Sequence, residues 1–279
     1  MEDSVTTFGP YRLLARLGKG ATSELYRATR GSDNYEIALK ILSPAATEDG
    51  EWLRRFEREA HVMRRLQHPN LVSWLDSGEC EGRWFLAMEL VHGRGGRALV
   101  GGHPKAASLA RLGAQVASGL LAAHAQGLIH RDLKPENLIV TKDGIVKILD
   151  FGLARPTRPD ARDFPEHLAH LTRTGMVLGT PRYMSPEQVR GEPLTPATDL
   201  FCLGLCLFEI ATGRHPFASD FHREVMAGIV ETPTPQLKRW RPDLTAALIG
   251  LVEELLVKDP SARSSADVTF QRFKSMCQH

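Results

Sequence analysis

Four polar side chains on two nearby segments could together carry out phosphoryl transfer. Asp132, Lys134 and Asn137 lie within six residues, and Asp150 follows Asn137 by thirteen positions. Phosphoryl transfer needs a carboxylate that takes the proton of the attacking hydroxyl, a cation beside the transferred group, and hard oxygen ligands for magnesium. A single Asp or Asn in a polar loop is usually a turn residue. Only the four groups together, at this spacing, indicate the chemistry.

The sequence around these groups resembles that of the eukaryotic-type protein kinases. HRDLKPEN at 130–137 is similar to their catalytic loop, and the DFG sequence at 150–152 is similar to their magnesium-binding segment. GTPRYMSPE at 179–187 is typical of the serine/threonine branch, and REAHVMRRLQHPN at 58–70 is most like the bacterial serine/threonine kinases. The resemblance extends over nearly the whole chain.

The resemblance implies a role for each of the four groups. Asp132 would orient the substrate hydroxyl, and Lys134 would stabilise the transferred phosphoryl group. Asn137 and Asp150 would bind Mg²⁺, which Mn²⁺ can replace. The implied activity is that of an ATP-dependent protein serine/threonine kinase, which transfers the γ-phosphate of ATP to hydroxyls of protein substrates.

Two parts of the chain differ in their residue pattern. Residues 11–88 contain short β-type runs at 11–17, 24–30, 37–42 and 84–88 around one helix at 51–66, and residues 105–275 are mostly helical by period. The resemblance implies a bilobal α+β fold, in which 11–88 form a small β-rich lobe, 89–93 the hinge, and 94–275 the larger helical lobe. The glycines of 93–105 predict a mobile connection rather than a packed element.

A glycine-containing segment at 18–23 lies between two β-type runs. Taken alone, an ordinary hairpin turn explains it better than a phosphate-binding loop, and a dinucleotide-binding motif is excluded because a strand follows. The resemblance implies that this segment covers ATP. The ATP-contacting residues that it implies are Leu17, Gly18, Lys19, Gly20, Ala21, Thr22, Ser23, Leu25, Ala38, Lys40, Glu59, Met88, Glu89, Val91 and Ile139.

Lys40 and Glu59 each place a charge among apolar neighbours. Lys40 lies in the apolar run 37–42, and Glu59 lies on the helix face whose predicted apolar stripe is Leu53, Phe56, Ala60 and Met63. A buried charge is costly unless it is paired. The two residues are therefore predicted to pair, as in the lysine–glutamate pair of kinases that holds the α- and β-phosphates.

The polar segment 150–187 resembles an activation loop. A loop of this length in a compact domain is usually functional or disordered. Arg131 is typical of relatives in which phosphorylation orders this loop, because an arginine can bind the added phosphate. Thr172 and Thr174 are the implied autophosphorylation sites, and phosphorylation of one copy by another would require self-association.

Three further residues have implied roles in the scaffold. Glu187 and Arg263 would form a buried ion pair. Asp199 precedes the apolar run 200–211, where a carboxylate suits a helix N-terminus. The resemblance implies that Asp199 also bonds the backbone of the catalytic loop.

Composition excludes some classes of partner. The chain has 35 Lys and Arg against 33 Asp and Glu, a formal net charge of +2, which gives no reason to expect nucleic acid or a membrane surface. No targeting signal or membrane segment is expected, and Cys202 and Cys206 are expected to be buried thiols, so the predicted location is the cytoplasm. Arg94 and Arg97, which follow the hinge, favour protein substrates that have acidic residues near the hydroxyl to be phosphorylated.

Two other functions are compatible with this kind of fold. A pseudokinase would bind ATP as a scaffold, but such proteins usually lack one of Lys40, Asp132 and Asp150, all of which are present. A small-molecule kinase of the aminoglycoside type would lack the sequence at 179–187 and the pair of Glu187 with Arg263. The site residues, rather than the fold, therefore favour a protein kinase.

Overall fold

The computed structural model of this chain describes residues 7–20, 23–31, 35–43, 60–61, 63–150 and 181–277. These residues fall into two compact units. The first contains the described residues of 7–68 and 72–92, and the second contains 69–71, 93–150 and 181–277.

The first unit is built on one antiparallel sheet with the strand order β1-β2-β3-β4-β6-β5. Its strands are β1 (Thr7–Phe8), β2 (Tyr11–Lys19), β3 (Ser23–Arg30), β4 (Tyr35–Leu42), β5 (Trp74–Cys80) and β6 (Arg83–Glu89). Alternate residues of β4 point to opposite faces, and Ile37, Leu39 and Ile41 enter a core with Tyr11 and Phe85.

Strand β5 was not among the predicted strands. Its sequence, WLDSGEC, lacks the alternation of apolar and polar residues that marks a half-buried strand. The sequence signal that could have revealed it is Gly82, a residue typical of tight turns. In the structure Glu81 and Gly82 form the turn after β5, with φ values of 52° and 67°. Two residues with positive φ make the hairpin turn that suits the twist of antiparallel strands. The partner strand β6 then stabilises β5.

The helix expected at 51–66 is described only at its end. Residues 60–61 and 63–65 are helical. Ala60 and Met63, two members of the predicted apolar stripe, are buried. The rest of that helix lies outside the described residues.

The glycine-rich stretch after residue 92 begins with regular structure over residues 93–99, so the prediction of a mobile connection was wrong there. Gly93–Gly95 forms strand β7, which pairs with β8 (Leu138–Thr141), and β8 pairs with β9 (Val146–Ile148). A 3-10 turn follows at Gly96–Leu99. A Cβ on Gly96 would lie 2.5 Å from the carbonyl oxygen of Pro135. Glycine occurs here because the backbone passes close to another segment, rather than because the chain needs freedom to move.

The rest of the second unit is mostly helical. Its described helices are α1 (Ala106–His124), α2 (Pro186–Arg190), α3 (Pro196–Thr212), α4 (His222–Glu231), α5 (Ala246–Leu255) and α6 (Ala266–Ser275). Helix α3 is apolar on all sides and buried along almost its whole length, which identifies it as the core helix of this unit. Within the described part of the chain, α1 is long and apolar enough to cross a membrane, but more than half of it is buried inside the fold, as in a core helix.

Candidate active site

Three of the four groups predicted to carry the chemistry lie together in one loop of the second unit. Lys134 Nζ lies 2.8 Å from Asp132 Oδ2, and both side chains are 19% exposed. Asn137 ends a 3-10 turn at Pro135–Asn137, and its Nδ2 donates to the backbone oxygen of Asp132 at 2.7 Å. The loop therefore holds a carboxylate, an ammonium group and a carboxamide next to one another.

The fourth group, Asp150, follows a residue that is bonded to this loop. Leu149 donates its backbone N–H to the carbonyl of Asn137 at 2.8 Å, and its own carbonyl accepts from His130 Nε2 at 2.8 Å. Asp150 has φ of 45°, a left-handed backbone that few non-glycine residues adopt. Because both backbone groups of Leu149 are bonded, the backbone that leads into Asp150 is held next to Asn137.

The oxygens of Asn137 and Asp150 suit a magnesium ion. The Nδ2 of Asn137 is bonded to the catalytic loop, so its Oδ1 is the atom that could bind a metal ion. Across the described residues, no group of three or more His, Cys, Asp and Glu side chains could enclose a metal ion. Mg²⁺ does not require such a cage, since it usually binds one or two side-chain oxygens together with substrate phosphates and water.

The backbone of the catalytic loop is held by Asp199 of α3. One carboxylate oxygen accepts from the backbone N–H of His130 at 2.8 Å, and the other accepts from that of Arg131 at 2.9 Å. The ring Nε2 of His124 lies 2.7 Å from the same carboxylate. The structure thus confirms the bond between Asp199 and the loop. The helix begins earlier than predicted, at Pro196, so Asp199 lies within its first turn rather than before it.

Glu187 and Arg263 form the expected buried ion pair. The guanidinium donates to both carboxylate oxygens, at 2.8 and 2.9 Å, and the two side chains are 2% and 0% exposed. Burial alone would raise the pKa of Glu187, but the bonds and charge of Arg263 outweigh burial and hold that pKa below its ordinary value. Glu187 is therefore a paired carboxylate in the folded state.

Arg97 and Arg94 bond to the protein itself. Arg97 Nη1 lies 3.0 Å from Glu209 Oε1 and donates to the hydroxyl of Tyr183 at 3.0 Å. Arg94 donates to the carbonyl oxygen of Ala98. Because Glu209 offsets the charge of Arg97, the geometry gives little support to the idea that these arginines select acidic substrates.

In the first unit, the cross-strand register places four expected ATP-contacting residues on one face of the sheet. Lys40 of β4 lies opposite Leu25 of β3, and Ala38 lies opposite Met88 of β6. Directly opposed residues of antiparallel strands, and residues two apart in one strand, point to the same side. The buried branched residues of β4 occupy the other face.

The described residues of the glycine-containing segment lie at the adjoining ends of two strands: Gly18 and Lys19 end β2, and Ser23 begins β3. The backbone N–H of Gly20 donates to the carbonyl of Ser23 at 2.8 Å. Lys19 Nζ lies 3.4 Å from Glu24 Oε1, with the lysine 66% exposed. This geometry suits an ordinary hairpin as well as a phosphate-covering loop, so the phosphate-binding role of Gly18 and its neighbours stays a prediction.

The other expected ATP-contacting residues have different surroundings. Glu89 forms two bonds with Ser73: its backbone N–H donates to the serine carbonyl at 2.9 Å, and its Oε1 accepts the serine N–H at 2.8 Å. Leu17 is 50% exposed, and Val91 is partly buried. Ile139 lies in β8 of the second unit. Ala21, Thr22, Glu59, Phe151, Gly152, Thr172 and Thr174 lie outside the described residues.

Fold and site together define a protein kinase, and comparison with known proteins agrees. The protein kinase domain family matches residues 11–278, so the chain belongs to that family. The predicted α+β kinase fold is confirmed: the kinase domain of PknI from Mycobacterium tuberculosis superposes with a TM-score of 0.74 at 28% identity, over 98% of each chain.

Curated relatives narrow the class to bacterial serine/threonine kinases, as the motifs predicted. The chain is 38% identical over 271 residues to the serine/threonine-protein kinase pkn3 of Myxococcus xanthus, covering 94% of this chain and 48% of that kinase. It is 34% identical over 259 residues to PrkC of Bacillus subtilis, covering 91% of this chain and 38% of PrkC. The chain thus spans less than half the length of these two relatives.

Proposed function

We propose that this chain is the catalytic domain of a protein serine/threonine kinase that transfers the γ-phosphate of ATP to protein hydroxyls. The observation that carries the proposal is that the backbone holds the four predicted catalytic and metal-binding groups close together. Asp132, Lys134 and Asn137 lie in one loop, and Asp150 is tied to it through the backbone bond between Leu149 and Asn137. The names of the curated relatives support the same reaction.

Each group has a distinct task in the proposed reaction. Asp132 accepts or orients the proton of the substrate hydroxyl, and Lys134, 2.8 Å away, stabilises negative charge on the transferred group. Asn137 and Asp150 supply oxygen ligands for Mg²⁺, which neutralises charge on the phosphate oxygens when bound. Lys40 holds the α- and β-phosphates, and the residues that share its sheet face contact the adenine.

Transfer of labelled phosphate from ATP to a generic protein substrate tests the activity. We expect Lys40→Met and Asp132→Asn to remove transfer while the protein stays folded, and Lys142→Met, at an exposed lysine, to leave it unchanged. The expected loss is about a hundredfold or more, since Asp132→Asn removes the group that orients the attacking hydroxyl and Lys40→Met removes the group that holds the α- and β-phosphates. Near-normal turnover by Lys40→Met would contradict the assignment. Wild-type transfer no greater than that of Asp132→Asn would refute the proposed function.

We further propose that the chain phosphorylates itself at Thr172 and Thr174. Mass spectrometry of an active preparation should find phosphate there, and the double substitution of both threonines by alanine should lower transfer to other proteins. An Asp132→Asn chain mixed with active chain distinguishes transfer between copies, which requires self-association, from transfer within one copy. An active preparation without phosphate at either threonine would overturn the proposal.

The proposed location is the cytoplasm. All four cysteines are free thiols, and Cys202 and Cys206 are fully buried one turn apart in α3. Such unpaired thiols are typical of a reducing compartment. Thiol-specific labelling immediately after lysis should modify the partly exposed Cys80 and Cys277. A disulfide at either residue in the native cell would count against this location.

A further inference from the structure

Gln188, in the first turn of α2, contacts the catalytic loop directly. Its Nε2 donates to the backbone carbonyl oxygen of Arg131 at 2.8 Å, across 57 residues of sequence. Arg131 immediately precedes Asp132, the proposed base. No motif used in the sequence analysis assigns a function to Gln188.

The same side chain helps to begin its own helix. Its Oε1 accepts the backbone N–H of Ser185 at 3.0 Å, and its own backbone N–H donates to Ser185 Oγ at 3.3 Å. This is a capping box, in which the first and fourth residues of a helix start satisfy each other. The Oε1 of the amide accepts from a backbone N–H and also lies 3.9 Å from the thiol of Cys202, and its Nε2 donates to a backbone carbonyl. The orientation of the amide is therefore fixed, because a flip would place oxygen against oxygen.

A capping box alone does not explain why this residue is glutamine. Glutamate serves equally well in that motif, since only the side-chain oxygen is used. The additional feature of glutamine is the N–H donor, and here that donor reaches the catalytic loop.

The loop needs this donor because of the backbone conformation of Arg131. Arg131 has φ of 65°, in the left-handed region that L-residues rarely adopt and that the surrounding structure must hold in place. Its N–H is held by Asp199 at 2.9 Å, and its carbonyl is held by Gln188. The two bonds together fix both peptide planes around Arg131, and the second plane leads directly into Asp132.

We propose that Gln188 is a positioning residue for phosphoryl transfer: its amide fixes the carbonyl of Arg131 and thereby aims the carboxylate of Asp132. The inference rests on the proposed kinase function. It also implies that α2, whose first two residues end the segment at 179–187, is coupled to the base through one side chain.

The decisive variant is Gln188→Glu. It keeps the capping oxygen and the side-chain length, but it replaces the donor to Arg131 with an oxygen that repels the carbonyl. We expect kcat to fall about tenfold or more, because loss of one bond and a small displacement of the base are sufficient for that change. The KM for ATP and for peptide should stay within about twofold of wild type, because a positioning residue acts on the base rather than on substrate binding. Gln271→Glu, at an exposed glutamine of α6, adds the same charge and is the matched control.

The pH dependence separates positioning from a general loss of stability. A protonated carboxyl can donate to the Arg131 carbonyl as the amide does. The ratio of the kcat of Gln188→Glu to that of wild type should therefore rise as the pH is lowered toward the pKa of the introduced carboxyl. A merely structural role predicts a ratio that stays constant or falls.

Hydrogen exchange provides a readout that does not depend on activity. Amides of the peptide covering 129–137 should exchange faster in Gln188→Glu than in Gln271→Glu, with peptides of α5 and α6 unchanged. If wild type transfers no phosphate but this exchange difference is seen, the proposed function fails, whereas the bond between Gln188 and the catalytic loop is still supported. If wild type is active and both variants match it in kcat and exchange, the proposal is overturned. Loss of activity that parallels loss of folded protein assigns Gln188 to folding alone and also overturns it.

Discussion

Replacing Glu187 with glutamine should destabilise the fold strongly, because it leaves a buried guanidinium without its counter-charge. Arg263 directs all of its N–H donors to protein acceptors. Besides the two bonds to Glu187, it donates to the carbonyls of Val257, Lys258 and Ala197, at 2.8 to 2.9 Å. Glutamine presents one oxygen and one NH₂ group, so one guanidinium N–H then faces another donor.

The expected loss in the free energy of unfolding is about 3–5 kcal/mol, the range found when one partner of a buried ion pair is removed. Solvent screening does not reduce it, since the two side chains are 0% and 2% exposed. For a domain of this size such a loss lowers the melting temperature by roughly 10 °C. Urea unfolding followed by tryptophan fluorescence measures the change.

Glu192→Gln is the matched control for this experiment. Glu192 pairs with Arg190 at 3.9 Å, but the two side chains are 47% and 39% exposed. An exposed pair contributes about 0–1 kcal/mol, so the control should stay close to wild type. A loss for Glu187→Gln within about 1 kcal/mol of the control would refute the reasoning about burial. The double variant Glu187→Gln/Arg263→Met should lose less than the sum of the single variants, because it removes the unpaired charge.

The loss of stability at acidic pH gives a second test of the pair of Glu187 with Arg263. The folded-state pKa of Glu187 is held below its ordinary value of 4.5, mainly by Arg263 acting against the effect of burial. Its contribution is therefore complete above that ordinary value and is lost as the pH falls through the lower, folded-state pKa. Glu187→Gln should lack this part of the acid dependence.

Three further changes test other parts of the second unit. Asp199→Asn should lower kcat about tenfold or more and destabilise the fold, because an amide cannot accept both backbone N–H groups of the catalytic loop; steady-state kinetics and urea unfolding check this. Gly96→Ala should lower the free energy of unfolding by about 1–3 kcal/mol, since its Cβ would lie 2.5 Å from the Pro135 oxygen. Gly95→Ala is the control, because its Cβ would meet no atom within 4 Å. It should be nearly neutral in the same unfolding assay. Burial lowers the pKa of His215 to about 4. The contribution of the neutral imidazole to stability should therefore be complete above about pH 6.5 and be lost as the pH falls toward 4. His215→Asn should remove this pH dependence when the unfolding of both proteins is compared at each pH.

The chemical groups could be predicted from sequence because their arrangement is local. Asp132, Lys134 and Asn137 occupy one short loop, so their spacing in the chain fixes their spacing in the molecule. The same holds for Ala38 and Lys40, two residues apart in one strand. Asp199 and Glu187 were recognised through resemblance, since their sequence neighbours alone are compatible with surface residues.

What could not be predicted depends on partners that are distant in sequence. Gln188 meets Arg131 across 57 residues, and Arg97 meets Glu209 across 112. No periodicity encodes such pairs. The glycine at position 96 was misread for the same reason, because a glycine required by a close approach and one that permits motion have identical sequence signals.

The catalytic loop explains why the supporting residues are polar and buried. A segment outside helices and sheets must find other partners for its backbone N–H groups. Those of His130 and Arg131 bond to Asp199, and that of Asp132 bonds to His130 Nδ1 at 3.2 Å. The side chains that satisfy the backbone thereby also determine where the base stands. Asp199→Asn should therefore reduce stability and turnover together, whereas Asp132→Asn, which leaves these backbone bonds intact, should reduce turnover alone.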